Sequence, residues 1–206
     1  MTPRESAALA SAACGPAAGR SPRAAGAVRA YVALGANLGE PSVQLADAAR
    51  AIARLPGTRM VAVSSLYRSA PVGYLDQPEF CNAVVAVDTT LAPRELLDAL
   101  LALETACGRT RSFRDAPRRL DLDLLMHGEA RIAEPGLELP HPRMAARAFV
   151  LRPLAEIAPG CRVPGLGPVA ALLPAVAAQA IERDGPLLAA GELERLSGEH
   201  RADPMP

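Results

Sequence analysis

Lysine is absent from this chain of 206 residues, and all 22 of its basic residues are arginine. That one absence removes the phosphate-binding lysine of P-loop and protein-kinase chemistry, Schiff-base catalysis and Ser-Lys dyads. Tryptophan is also missing, and with three Phe and three Tyr the aromatic share is 3%, so each aromatic ring has to be accounted for. No apolar run approaches the roughly eighteen residues that a membrane span requires. Charge of one sign is lacking too: 22 acidic residues balance the arginines to a formal net charge of zero, which argues against a general nucleic-acid or membrane-surface binder. The four cysteines, Cys14, Cys81, Cys107 and Cys161, form no CxxC pair, and the three histidines form no HExxH. Reduced thiols in a cytoplasmic protein are therefore expected, with no zinc site.

Half of the residues are hydrophobic, enough to build the core of one domain. Residues 1–27 are mostly Ala, Gly, Pro, Ser and Arg without hydrophobic periodicity and read as a flexible extension. Residues 184–206 read as a polar C-terminal tail with one short helix near Leu188–Leu196, leaving 28–183 as the folded unit. Within it, Arg29–Leu34 reads as a buried strand and Pro41–Leu55 as an amphipathic helix. Met60–Tyr67 and Phe80–Asp88 read as strands, and a helix opening at Pro93 runs through Glu104 to Gly108. Arg119–His127 predicts a third long strand, with a short hairpin at His127–Glu129. Helices are expected at about Arg143–Ala158 and Val169–Ile181. The order βαββαβ points to an α+β fold, a ferredoxin-like core sandwiched by helices in a single domain.

The strongest chemical signal is Arg118-Arg119-Leu120-Asp121-Leu122-Asp123-Leu124-Leu125. In a strand, Asp121 and Asp123 share one face and the leucines the other. Two adjacent carboxylates repel unless a cation sits between them, and Mg²⁺ is hard, oxygen-seeking and commonly completed by substrate phosphates. The loop before the strand carries Arg109, Arg111, Arg114 and Arg118 against one acid, Asp115, which suits a metal-bound polyphosphate. His141, set between Pro140 and Pro142, and Arg147 follow at a loop-to-helix junction. A second cluster, Ser69 to Asn82, brings Phe80 and Asn82 to one side of a strand, a ring and an amide of the kind that hold a flat heterocycle. Another DxD-metal nucleotidyl or glycosyl transferase, or a non-catalytic ligand-binding module, are the alternatives; in the first, Phe80, Asn82 and Phe149 should be plain core.

Four blocks, Tyr31–Leu38 (YVALGANL), Ser64–Asn82 (SSLYRSAPVGYLDQPEFCN), Arg118–Leu125 and Pro140–Pro159, together resemble the 6-hydroxymethyl-7,8-dihydropterin pyrophosphokinases of folate synthesis. The resemblance implies transfer of a pyrophosphoryl group from ATP to the pterin's hydroxymethyl oxygen, with release of AMP, by a monomer acting on small molecules. It implies two Mg²⁺ ions on Asp121 and Asp123, and catalytic roles for these two with Arg109 and Arg118. Glu104, Arg109, Arg111, Arg118, Leu124, His141 and Arg147 would face ATP. Ser69, Val72, Phe80, Asn82 and Phe149 would face the pterin. The chain departs from the family at Phe113–Pro117, where some members carry a Trp, at Arg119, where Thr is common, and at Pro142, where some have Tyr.

Overall fold

Residues 25–71, 76–108 and 117–198 are described by a computed structural model of the chain. The expected N-terminal extension, apart from its last three residues, and the positions Val72, Arg109 and Arg111 lie outside them. The first strand, β1 (Val28–Ala36), buries Ala30, Val32, Leu34 and Ala36 on one face and points Tyr31 and Ala33 to the other. Helix α1 (Pro41–Ala53) begins at a proline, whose fixed φ and missing N–H are no handicap in a first turn, and buries Leu45, Ala49 and Ile52.

The stretch expected as one strand at 60–67 is two, β2 (Thr58–Val63) and β3 (Ser65–Ser69). The break is Ser64, whose hydroxyl accepts the Val84 N–H at 2.9 Å and donates to the Ser65 carbonyl at 2.7 Å, replacing regular ladder bonds with side-chain bonds. β4 (Phe80–Thr89) pairs along its whole length with β1, and on its other side with β2 and β3 in turn. Helix α2 (Pro93–Ala106) starts at Pro93, and Glu95 reaches back to accept the Ala92 N–H at 2.8 Å. β5 (Asp121–His127) runs antiparallel to β1. The turn at Gly128 does not close a hairpin by itself; a two-stranded hairpin follows at β6 (Ile132–Glu134) and β7 (Leu137–Leu139). Gly128 has φ +55°, and a Cβ there would stand 2.7 Å from Val28 Cγ1, so glycine alone fits.

The helix expected at 143–158 is a single 3₁₀ turn, Met144–Ala146, then an extended Arg147 and then α3 (Ala148–Ile157). A minute hairpin of β8 (Arg162–Val163) and β9 (Gly167–Pro168) follows. The helix expected at 169–181 stops early, as α4 (Val169–Leu172) and a 3₁₀ turn over Leu173–Val176. Pro174 cannot donate the backbone bond that would carry it further. Ile181 instead opens β10 (Ile181–Pro186), which pairs with β3 from Ile181↔Ser69 to Pro186↔Ser65. Helix α5 (Glu192–Gly198) lies against β2, with Leu187 and Leu196 in the main core. The polar tail expected from residue 184 is therefore part of the fold through Gly198. Of its charged residues, Glu192, Glu194 and Arg195 belong to α5, and Asp184 to an edge strand, where charge is the usual guard against strand pairing between molecules.

The result is one antiparallel sheet in the order β10–β3–β4–β1–β5, with β2 also on β4, in the expected βαββαβ arrangement. Helices α1 and α2 cover one face and α3 the other. Among the described residues no helix is long and apolar enough to cross a membrane.

Candidate active site

The face of the sheet turned towards α3 is not wholly apolar. Along β5, Leu122 and Leu124 pack into the α1/α2 core, so Asp121 and Asp123 point to the opposite side. Register sets Asp123 opposite Ala33, and Asp121 opposite Gly35 on β1. Gly35 in turn faces Asn82 on β4, and Phe80 faces Ser69 on β3. The chain entering α3 brings Arg147 and Phe149 over this floor. Between them lies a cavity of about 480 Å³ that these residues line together with Arg118, Arg143 and Gln179, a volume suited to small-molecule substrates.

One set of the side chains at the cavity is ionic. Arg118 Nη1 donates to Asp121 Oδ2 at 2.7 Å, and Arg147 Nη1 to Asp123 Oδ2 at 3.2 Å. His141 Nε2 stands 3.6 Å from the same Asp123 oxygen, while its Nδ1 accepts the Arg143 N–H at 3.2 Å. Burial pushes the His141 pKa below the ordinary histidine value, against the pull of Asp123. Accepting at Nδ1 leaves the proton of the neutral ring on Nε2, facing the carboxylate. Burial, and then Arg143, lower the Arg147 pKa from its usual value, with Asp123 and Asp121 opposing. Asp121 and Asp123 offer hard oxygens on one strand face. Among the described residues no group of three or more His, Cys, Asp or Glu side chains is arranged to hold an ion by itself. Such a pair fits Mg²⁺, which keeps water and takes phosphate oxygens as its remaining ligands.

A second set pairs rings with an amide. Phe80 and Phe149 both line the cavity, and the Arg147 guanidinium lies 5.3 Å from the Phe149 ring centroid. Asn82 is 4% exposed. Its Nδ2 donates to Ser69 Oγ at 3.0 Å, with longer contacts to the carbonyls of Tyr67 and Phe80 at 3.4 Å. A Cβ added to Gly35 would come 3.6 Å from Asn82 Oδ1, so glycine keeps the space in front of that acceptor open.

Eight of the expected site residues therefore meet around one cavity: Ser69, Phe80, Asn82, Arg118, Asp121, Asp123, Arg147 and Phe149. His141 joins through Asp123. Leu124 is buried on the opposite face. Glu104, 1% exposed, does not line the cavity either; its Oε1 accepts the Leu122 N–H at 2.7 Å and fixes β5 from behind. Arg143, Gln179 and Asn37 were not expected. Buried Asn37 accepts the Arg118 N–H at 2.8 Å, donates its own N–H to the Arg118 carbonyl at 3.0 Å, and holds Gln77 Oε1 at 2.9 Å. The only hint in the sequence was its place just after Gly35, at the end of a strand.

A sequence model of 7,8-dihydro-6-hydroxymethylpterin-pyrophosphokinase matches residues 31–159, more than half of the chain. The chain belongs to this family. It is 54% identical over 155 residues to the 2-amino-4-hydroxy-6-hydroxymethyldihydropteridine pyrophosphokinase of Pseudomonas aeruginosa, a match covering 75% of this chain and 96% of the relative. The enzymes of the same name from Methylorubrum extorquens and Bacillus subtilis are 47% and 44% identical, with 66% and 62% of this chain covered and 87% and 77% of theirs. Among solved structures, a Plasmodium falciparum HPPK-DHPS with pterin and p-hydroxybenzoate superposes at a TM-score of 0.61 over 76% of this chain and 14% identity. That likeness speaks to the fold alone, and this chain spans 45% of the length of the Plasmodium protein. The protein is accordingly a pyrophosphokinase of folate synthesis with an α+β fold, and the expected family, fold class and enzyme class stand.

Proposed function

We propose that this pyrophosphokinase joins ATP and 6-hydroxymethyl-7,8-dihydropterin in the one cavity between β5 and the start of α3. What carries the proposal is that one cavity is lined by a ring-and-amide set, Phe80, Phe149 and Asn82, and by an ionic set, Asp121, Asp123, Arg118 and Arg147. The pterin would stack between the two rings with an N–H of its edge on Asn82 Oδ1, and its hydroxymethyl group would point to the two aspartates. There the hydroxyl oxygen bonds to the β-phosphorus of ATP as the bond to the α,β-bridging oxygen breaks. AMP leaves, and the hydroxyl proton passes to solvent or to a phosphate oxygen.

Phosphoryl-type transfer asks a protein chiefly for alignment and charge neutralisation. Arg118 and Arg147 are already fixed by bonds to the two aspartates, so their forks are oriented before substrate arrives. Neutral His141 would donate from Nε2 to a phosphate oxygen. Arg109 and Arg111 would pair with the polyphosphate. Glu104, through Leu122, would keep β5 from sliding, and Leu124 would contribute through its backbone only. Two Mg²⁺ ions held by Asp121 and Asp123 would neutralise phosphate charge and draw electron density from the attacked phosphorus. Free thiols at Cys81, Cys107 and Cys161 suit work in the reducing cytoplasm.

The test is to incubate the protein with ATP, Mg²⁺ and 6-hydroxymethyl-7,8-dihydropterin and to separate AMP from ADP. Pterin-dependent AMP, falling at least a thousandfold in Asp123→Ala, is the expected result. ADP in place of AMP would refute pyrophosphoryl transfer, and equal rates without pterin would refute the acceptor.

A further inference from the structure

Arg147 sits in a stretched link, φ −122° and ψ 112°, between the 3₁₀ turn at Met144–Ala146 and α3. The N–H of Arg147 bonds the Met144 carbonyl at 3.3 Å, and its carbonyl takes the Val150 and Leu151 N–H groups at 3.1 and 3.0 Å, so each turn uses one half of a flanking peptide. The other halves, the Ala146 carbonyl and the Ala148 N–H, are taken by one side chain from far along the sequence. Gln179 Oε1 accepts the Ala148 N–H at 2.8 Å, and Gln179 Nε2 donates to the Ala146 carbonyl at 2.8 Å. The amide thus straddles Arg147 and caps the first turn of α3 with the same group. Gln179 is itself held: its N–H donates to the Val176 carbonyl at 3.0 Å, and Val176 is buried in the core beneath α3. The α-helix gives way to a 3₁₀ turn at Leu173, and that turn ends at Val176, three residues before Gln179.

We infer that Gln179 is a positioning residue for the reaction, an amide clamp that sets the direction of Arg147 towards Asp123. The clamp lies twenty residues beyond Pro159, where the match to the family's sequence model ends. It therefore assigns a role in the site to the C-terminal part of the chain. The inference rests on the proposed reaction only for its kinetic readout.

The experiment compares wild type, Gln179→Ala, Gln179→Glu and Arg147→Ala. Without any ligand, the Ala148 amide in Gln179→Ala should exchange with solvent at least tenfold faster, and the Arg147 Nε–H resonance should move. Gln179→Glu keeps the acceptor for Ala148 and loses the donor for Ala146, so it should retain the Ala148 protection. In the AMP assay Gln179→Ala should lose at least tenfold in kcat/KM, but under twofold when added to Arg147→Ala, since the two act as one unit. Unchanged exchange and an unmoved Arg147 resonance would overturn the clamp whether or not the wild type makes AMP. A full tenfold loss persisting in the Arg147→Ala background would also overturn it, placing the effect elsewhere. A wild type that yields no pterin-dependent AMP while the exchange results hold would refute the proposed reaction and leave the clamp standing.

Discussion

Phe149 carries a guanidinium 5.3 Å from its centroid and lines the same cavity as Phe80. Replacing it by Ala removes a stacking face worth about 1–3 kcal/mol per base-like ring. Phe149→Ala is expected to raise the KM for the pterin by about tenfold to a hundredfold, with a smaller change in the KM for ATP. Steady-state kinetics with each substrate varied in turn measures the split, and equal rises for both would contradict a pterin role for this ring. At this scale the sequence was informative wherever a period of two decides direction. Asp121 with Asp123, and Phe80 with Asn82, each point the same way in any extended strand. The same rule sends the Leu124 side chain to the core, whatever its backbone does. Gln179 and Asn37 escaped because their roles rest on hydrogen bonds to the backbone of remote segments. Asn37 reaches Arg118 and Gln179 reaches Ala148, and no local spacing encodes such pairings.

Strand β3 and helix α3 are fastened by a single carboxylate. Glu156 Oε1 accepts from Ser65 Oγ at 2.8 Å and Oε2 from the Ser65 N–H at 3.1 Å and the Tyr67 hydroxyl at 3.0 Å. Arg183 of β10 adds an Nη2 donor at 3.1 Å and bonds Ser65 Oγ through Nε at 2.8 Å. Burial works to raise the Glu156 pKa, yet the bonds from Ser65, Tyr67 and Arg183 leave it below the ordinary glutamate value. A carboxylate with a depressed folded pKa stabilises the fold above its unfolded pKa, and that contribution is lost as pH falls through the folded value. Glu156→Ala should therefore melt lower than wild type at pH 7, by about 1 kcal/mol after allowance for its partial exposure. The gap should close as pH falls through the depressed folded value, and thermal melts across pH would show it; a gap independent of pH would mean that packing, not charge, holds the latch. Element order was readable from periodicity and punctuation, including the proline-opened helices α1 and α2. The errors fell where polar chemistry substitutes for pattern. Ser64 divided an apolar run by bonding Val84, Pro174 ended a helix whose apolar spacing continued, and charged β10 passed for a tail because its partner β3 lies over a hundred residues earlier.

Across the whole molecule the sheet separates two tasks. Its α1/α2 face is closed by Leu, Val, Ala and Ile, while the α3 face trades part of its core for a cavity floored by short side chains at Ala33 and Gly35. The ions at the rim of that floor are held by guanidinium groups in a chain with no lysine at all. To a protein chemist this makes the molecule orthogonal to common reagents. An acylating ester finds no side-chain amine to label, whereas a vicinal dicarbonyl such as phenylglyoxal, which condenses with guanidinium, finds Arg118, Arg143 and Arg147 around one opening. Modification by the dicarbonyl should abolish AMP formation and should slow at least fivefold when ATP is present, as mass analysis of the labelled peptides would register. The ester, at any dose that leaves the fold intact, should leave the reaction running.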